Sequence, residues 1–238
     1  MDNNKKIGYI RMSVSTGKKN KYCDPWRLIV FGYAALLAAI NILRIFDNNF
    51  WGDEAFSIRL AQMSLADMLD STARDVHPPL YYLVLIAAYR IMGNHGWVYH
   101  LTSVIPMIIM MIFSLTVLYN RFGKETSILF ITFIGISETA VHFNVEVRMY
   151  SLAMMFVFFS FYGFYKTIQN EKMGMALFVA ASLGAAYTHY YAMMTVAFFY
   201  LALLVFTVRK EFETKTYNDI QRYCFSLSSV ALADDNNL

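Results

Sequence analysis

The sequence predicts an all-α fold, a polytopic transmembrane helix bundle, on three observations. Of 238 residues, 58% are apolar and 16% charged, where a soluble domain carries roughly 25% charged residues. The apolar residues are gathered into runs, most of them near the length that a helix rising ~1.5 Å per residue needs to cross ~30 Å of hydrocarbon. The basic N-terminal tail and the short basic connections can all lie on one side, as the positive-inside bias requires. Helices follow because a lipid-exposed segment must satisfy its own backbone hydrogen bonds.

Residues 1–27 form a basic cytoplasmic tail, with Lys5, Lys6, Arg11, Lys18, Lys19, Lys21 and Arg27 against two acids. The run at 28–46 is too long for a signal-peptide core and lacks a small-residue cleavage site, so it stays as the first span. It delivers 47–79 to the outer face, a segment with six Asp or Glu against Arg59 and Arg74. The topology turns on Leu80–Met92, whose 13 residues mark an interfacial or re-entrant helix and not a span. The outer loop therefore runs over 47–96 and carries interfacial helices.

Runs at 97–119, 126–143, 150–165, 173–187 and 191–208 bring the count to about six spans. Arg121, Lys124, Lys166, Lys172, Arg209 and Lys210 then all lie in the cytoplasm. Were 80–92 to cross, all of them would be external, against the bias of short loops. Residues 28–208 form the transmembrane domain and 209–238 a polar C-terminal tail.

The net charge of +3 decides nothing in such a chain, and nothing suggests nucleic acid. Cys23 and Cys224 lie in the polar tails without metal-ligand spacing, so neither a disulfide framework nor a zinc site is indicated.

The outer face collects the unusual polar residues. Asp53 and Glu54 follow the first span; such a pair supplies a general base or binds a divalent cation, or else it is an acidic helix N-terminus stabilised by its dipole. In Asp75-Val76-His77-Pro78-Pro79-Leu80-Tyr81-Tyr82 the prolines hold His77 rigidly beside two aromatic rings. A turn in an interfacial aromatic belt explains Tyr81 and Tyr82 equally well.

Glu138, His142, Glu146, Arg148 and Tyr150 place ionisable groups at the membrane boundary, where their cost makes function the default. An outward Arg148 suits an anionic phosphate, while a surface pair of Glu146 with Arg148 is the plainer alternative. His189 and Tyr190 sit at an outer junction of two helices among further tyrosines. His95 and His100 stand near the start of the second span, either functional or merely satisfied polar groups.

In order, spacing and sidedness, Asp53-Glu54 after the first span, His77-Pro78-Pro79-Leu80-Tyr81-Tyr82, Arg148-Met149-Tyr150 opening a later span and His189-Tyr190 resemble the GT-C membrane glycosyltransferases. The likeness is to the bacterial branch similar to protein O-mannosyltransferases and the aminoarabinose transferase of lipid A. It covers roughly residues 28 to 208.

The resemblance implies transfer of a sugar from a polyprenyl-phosphate carrier to an acceptor, whether envelope glycan, glycolipid or protein, on the outer face of the cytoplasmic membrane. Asp53 matches the family's first-loop catalytic aspartate, which deprotonates or orients the acceptor hydroxyl for inverting attack, with Glu54 beside it. His77 matches a position near the donor phosphate, and Glu146 or Arg148 an acidic or phosphate-binding position. His189 and Tyr190 match a further site-lining pair, and Tyr81, Tyr82, His100 and Tyr150 complete the substrate-binding set. The divalent-metal question stays open, since members differ and no dedicated ligand set is present.

Relatives continue for several more spans, so the chain is expected to be an N-terminal part. The rival reading is a non-enzymatic transporter subunit or assembly partner. Such a path would need polar residues through the middles of the spans, which here read as Phe, Met, Leu, Ala and Ile.

Overall fold

The computed structural model describes residues 24–46, 49–75 and 77–234, with side chains as far as residue 216. Residues 1–23, which hold most of the basic tail and Cys23, lie outside the described residues. Among those described, every regular element is a helix, as the sequence predicts. The chain divides into two compact units, Met1–Met155 and Phe156–Leu238.

In the first unit, α1 (Pro25–Phe46) starts where Asp24 accepts from the Trp26 N–H and Pro25 fixes the first turn. Leu28, Ile29, Phe31, Leu36, Ile40 and Leu43 are exposed along its length, a face suited to lipid. Two short helices follow, α2 (Gly52–Ala61) and α3 (Leu65–Ala73), the latter begun by Ser64 accepting from the Asp67 N–H at 3.2 Å. Helix α4 (Leu80–Met92) has 13 residues, about 20 Å at ~1.5 Å per residue, and packs against both α2 and α5. Helix α5 (Gly96–Phe122) has 27 residues and includes one wide turn at Ser114–Leu118, where Ser114 and Ser127 bond to each other at 3.0 Å.

The apolar run over 126–143 is not one helix. It breaks into α6 (Lys124–Ile136) and α7 (Glu138–Phe143) because Ser137 takes an extended backbone and caps α7, accepting from the Ala140 N–H. Asn41 in α1, wholly buried, donates to the carbonyls of Leu37 at 2.9 Å and Gly135 at 3.2 Å. Asn144 donates to the Ile134 carbonyl at 2.7 Å. Carbonyls left at the C-terminus of α6 are thus met by side chains. A Cβ at Gly135 would lie 2.8 Å from Leu37, so glycine lets α6 close on α1.

Helix α8 (Tyr150–Ile168) runs from the first unit into the second. The second unit continues with α9 (Gly174–Thr188) and α10 (Tyr190–Asp234), separated by His189 in an extended conformation. The ring of Phe178, wholly buried, packs against Phe164 and the exposed Tyr200, and Phe164 stacks on Phe199. Gly163 lies directly against the backbone of Phe178, and Ser160 bonds Ser182 at 2.8 Å.

Among the described residues, four helices are long and apolar enough to cross a membrane: α1, α5, α8 and the Tyr190–Thr216 part of α10. The runs at 126–143 and 173–187 emerge shorter, the first through the Ser137 break and the second as the 15 residues of α9. The chain is a multi-pass membrane protein built as a helix bundle.

Candidate functional site

Adjacent residues on a helix point about 100° apart, so Asp53 and Glu54, both in the first turn of α2, meet different surroundings. Glu54 is 4% exposed. One carboxylate oxygen accepts the Trp51 N–H at 3.2 Å, capping its own helix, and the other accepts the Val147 N–H at 2.7 Å. Both oxygens are engaged by backbone, which gives Glu54 the work of fixing the 144–149 segment to α2.

The Asp53 side chain is 53% exposed and stands 3.4 Å from Arg148 Nη2. Arg148 also donates from Nη1 to the Asp53 carbonyl at 3.4 Å. The guanidinium is nearly buried and lies near the Tyr150 ring, its Cζ 5.9 Å from the ring centre. Burial opposes its charge, but the Tyr150 hydroxyl and the surrounding Tyr82, Tyr150 and Asp53 outweigh that, so its pKa lies above the usual value. An exposed carboxylate and a buried cation therefore share one edge of the first unit.

The 144–149 segment is positioned from several sides. His100, buried on α5, donates from Nδ1 to the Val145 carbonyl at 2.5 Å and stacks on Phe50. One turn further, Ser103 donates to the Glu146 carbonyl and to that of Arg148 at 3.3 Å. Ser151 in turn donates to the Ser103 carbonyl at 2.6 Å. His100 thus acts here on the loop's backbone. The sequence reading missed Ser103, although its place three residues after His100 puts both on one helix face.

Glu146 does not pair with Arg148. Its buried carboxylate lies 3.4 Å from His142 Nε2 on α7, whose ring is largely exposed. Burial pushes its pKa up, with Glu54 adding to the rise and His142 and Arg148 opposing it. His77 is half-buried with Nδ1 3.2 Å from an Asp75 oxygen. Tyr81 and Tyr82 are fully buried on α4.

The structure thus gathers Asp53, Glu54, Tyr82, His100, Glu146, Arg148 and Tyr150 around α2, the head of α4, α5 and the 144–149 segment. Glu138 is exposed on α7, and His95 precedes α5 with its ring against Trp97. His189 and Tyr190 belong to the second unit, where the His189 ring stacks on Tyr191 and accepts the Tyr191 N–H at 3.1 Å. Among the described residues no three His, Cys, Asp or Glu side chains stand together as a metal-binding set, and no step below is routed through a metal.

The sequence matches the family described as dolichyl-phosphate-mannose-protein mannosyltransferase over residues 76–231, more than half of the chain. The matched stretch includes His77, Tyr82, Glu146, Arg148 and His189. Asp53 and Glu54 precede it, tied to it by the contacts to Arg148 and Val147. No curated protein and no solved structure gives a significant match.

Proposed function

We propose transfer of a sugar from a polyprenyl-phosphate carrier to a hydroxyl acceptor on the outer face of the cytoplasmic membrane, carried out by a chain that belongs to the dolichyl-phosphate-mannose-protein mannosyltransferase family. Membrane glycosyltransferase activity follows from the family. The observation that carries the finer reading is the half-exposed Asp53 carboxylate set against the buried Arg148 guanidinium.

Each partner answers one need of the reaction. An acceptor hydroxyl attacks the anomeric carbon and must lose its proton, which Asp53 receives. The bond from that carbon to the phosphate oxygen breaks, its electron pair passes to the phosphate, and the added negative charge develops beside Arg148. Attack opposite the leaving group inverts the anomeric configuration. His77, beside Asp75 at the head of α4, lies on the donor side.

The outer-face assignment rests on the basic connections falling on the other side. Against a transport path stands the distribution of charge. The buried carboxyl and guanidinium side chains among the described residues, Glu54, Glu146 and Arg148, all lie outside the four long helices.

The test is transfer by Asp53→Asn, assayed with a polyprenyl-phosphate-linked sugar. Transfer is expected to fall by about 10²–10⁴-fold, the usual contribution of a positioned base, with membrane insertion unchanged. Near-normal transfer would remove Asp53 from the reaction.

A further inference from the structure

The turn between α4 and α5 meets the C-terminal end of α2 in a cluster of amides and rings that the reaction described above does not use. Gly93 makes the turn at φ +86°, a backbone that favours glycine. Asn94 Oδ1 accepts from the Tyr99 hydroxyl at 2.7 Å and from Gln62 Nε2 at 3.3 Å, and the same Gln62 nitrogen donates to the Tyr99 hydroxyl at 3.3 Å. The Tyr99 ring stacks on Tyr89 with centres 6.5 Å apart, and the His95 ring lies 6.1 Å from that of Trp97 and within 7° of parallel. Tyr99 is buried, whereas Gln62, Asn94 and His95 are exposed and Tyr89 and Trp97 half-buried.

The network fixes the polarity of the two exposed amides. With Asn94 Oδ1 and Gln62 Nε2 engaged in it, the Asn94 Nδ2 donors and the Gln62 Oε1 acceptor are left without partners among the described residues. A hydrogen-bond donor and an acceptor on neighbouring amides, beside a pair of parallel rings, match the chemistry of a sugar. Its hydroxyls both give and take hydrogen bonds, and its C–H face suits the negative face of an aromatic ring. An interfacial aromatic belt accounts for the rings, but not for two exposed amides held in one orientation.

We propose that this cluster is a saccharide-binding platform that holds the sugar chain of the acceptor, away from the hydroxyl that reacts. The proposal rests on the glycosyl-transfer reading given above and narrows the acceptor to a glycan or glycolipid. Asp53 lies in the first turn of α2 and Gln62 caps its end. The nine positions from 53 to 62 amount to about 13 Å at ~1.5 Å per residue, the reach of a short oligosaccharide whose terminal hydroxyl stands at Asp53.

The test is binding of a panel of short neutral oligosaccharides, linear and branched, to the solubilised chain in a detergent without a sugar headgroup, followed by ligand-observed NMR. The matching monosaccharides serve as comparison probes, and each variant is measured with its melting temperature. Wild type is expected to bind at least one oligosaccharide in preference to its monosaccharides. Trp97→Ala should weaken that binding about 10-fold, and Asn94→Ala about 2- to 10-fold, as expected for a lost ring contact and a lost neutral hydrogen bond. Melting temperatures should change little, and Trp97→Phe, which keeps a ring, should retain most of the binding. Asp53→Asn should bind the saccharide as wild type does, and wild type should extend it when given a polyprenyl-phosphate-linked sugar.

Wild type that binds none of the panel overturns the platform and leaves the transfer reading standing. Binding undiminished in both Trp97→Ala and Asn94→Ala overturns its location, and binding lost in Asp53→Asn does the same by moving the saccharide to the reaction centre. Melting temperatures that fall with binding in both cluster variants assign the cluster to packing and overturn the platform. A saccharide that is bound but never extended overturns its role as acceptor. Failure of the transfer reading registers separately, as near-normal transfer by Asp53→Asn.

Discussion

The first unit buries Asn41, Glu54, His100, Ser103, Asn144, Glu146 and Arg148, whereas the polar residues buried in the second, among those described, are Ser160, Ser182 and Thr188. Both units are made of apolar helices with glycines at their tightest approaches. They differ in what the interior has to hold. In the second, small hydroxyls and the Gly163 contact let helices close on each other, as is common where lipid supplies no hydrophobic drive between helices. In the first, carboxylates, an imidazole and a guanidinium are kept at a cost that packing alone does not require, and what they hold is one irregular segment, 144–149. Buried charge off the spanning helices marks the place where the fold fixes a geometry rather than a volume.

The sharpest way to break this comparison is Glu54→Ala. It leaves the Trp51 and Val147 N–H groups without their acceptor, at about 1–3 kcal/mol for each buried donor. Arg148 is then expected to leave Asp53, and transfer to fall about 100-fold, the scale of a displaced catalytic group. Activity per folded molecule is the measurement. Unchanged activity alongside lost stability would make Glu54 an ordinary core residue, and the two units would then differ in degree only.

Gly163→Leu probes the second unit by volume. A Cβ there runs into the Phe178 backbone, so thermal unfolding of the solubilised protein should show a loss of about 1–3 kcal/mol, typical of overpacking. A neutral result would mean that the second unit's helices are not held as close as glycine permits.

The pH dependence of Glu146 sharpens the comparison from the charged side. Its pKa is raised in the fold by burial. A group raised in this way contributes stability that is fully present below its unfolded pKa and is lost as pH rises through the folded pKa. Glu146→Gln should therefore melt at increasingly higher temperature than wild type as pH climbs above the ordinary carboxylate range, and the difference should close below it. A pH-independent difference would mean that His142 holds the carboxylate charged in the fold.

The smallest effect is expected from Ser182→Ala, which removes the bond to Ser160. Interhelical hydrogen bonds in membrane proteins average about 0.6 kcal/mol, so a shift of that order in chemical unfolding is anticipated. A much larger one would place a polar dependence in the second unit as well.

Much of the site was legible before the fold. The Asp53-Glu54 pair, the rigid turn before Tyr81 and Tyr82, and the Glu146-to-Tyr150 stretch all reached the same edge of the first unit. Their division of labour was not legible, because neighbouring helix positions look alike in sequence until packing decides which faces inward. The expected alternative of Glu146 pairing with Arg148 gave way to Glu146 with His142 and Arg148 with Asp53. The break at Ser137 carried a local signal, a serine N-cap followed by Glu138, but the apolar residues on either side outweighed it. His100 and Ser103 share a face three residues apart, yet what they hold lies more than 40 positions away.

By itself the sequence determined the helical class, the runs that become the long apolar helices and the set of ionisable residues set apart from them. Composition and period suffice for these, because the bilayer is a uniform solvent and each helix satisfies its own backbone. Only the tertiary structure decided that Asp53 faces a buried Arg148 while Glu54 anchors Val147, and that among the described residues the Tyr82 hydroxyl finds no hydrogen-bond partner where that of Tyr81 meets Thr102. Those outcomes depend on contacts between segments distant in the chain, which local pattern does not encode.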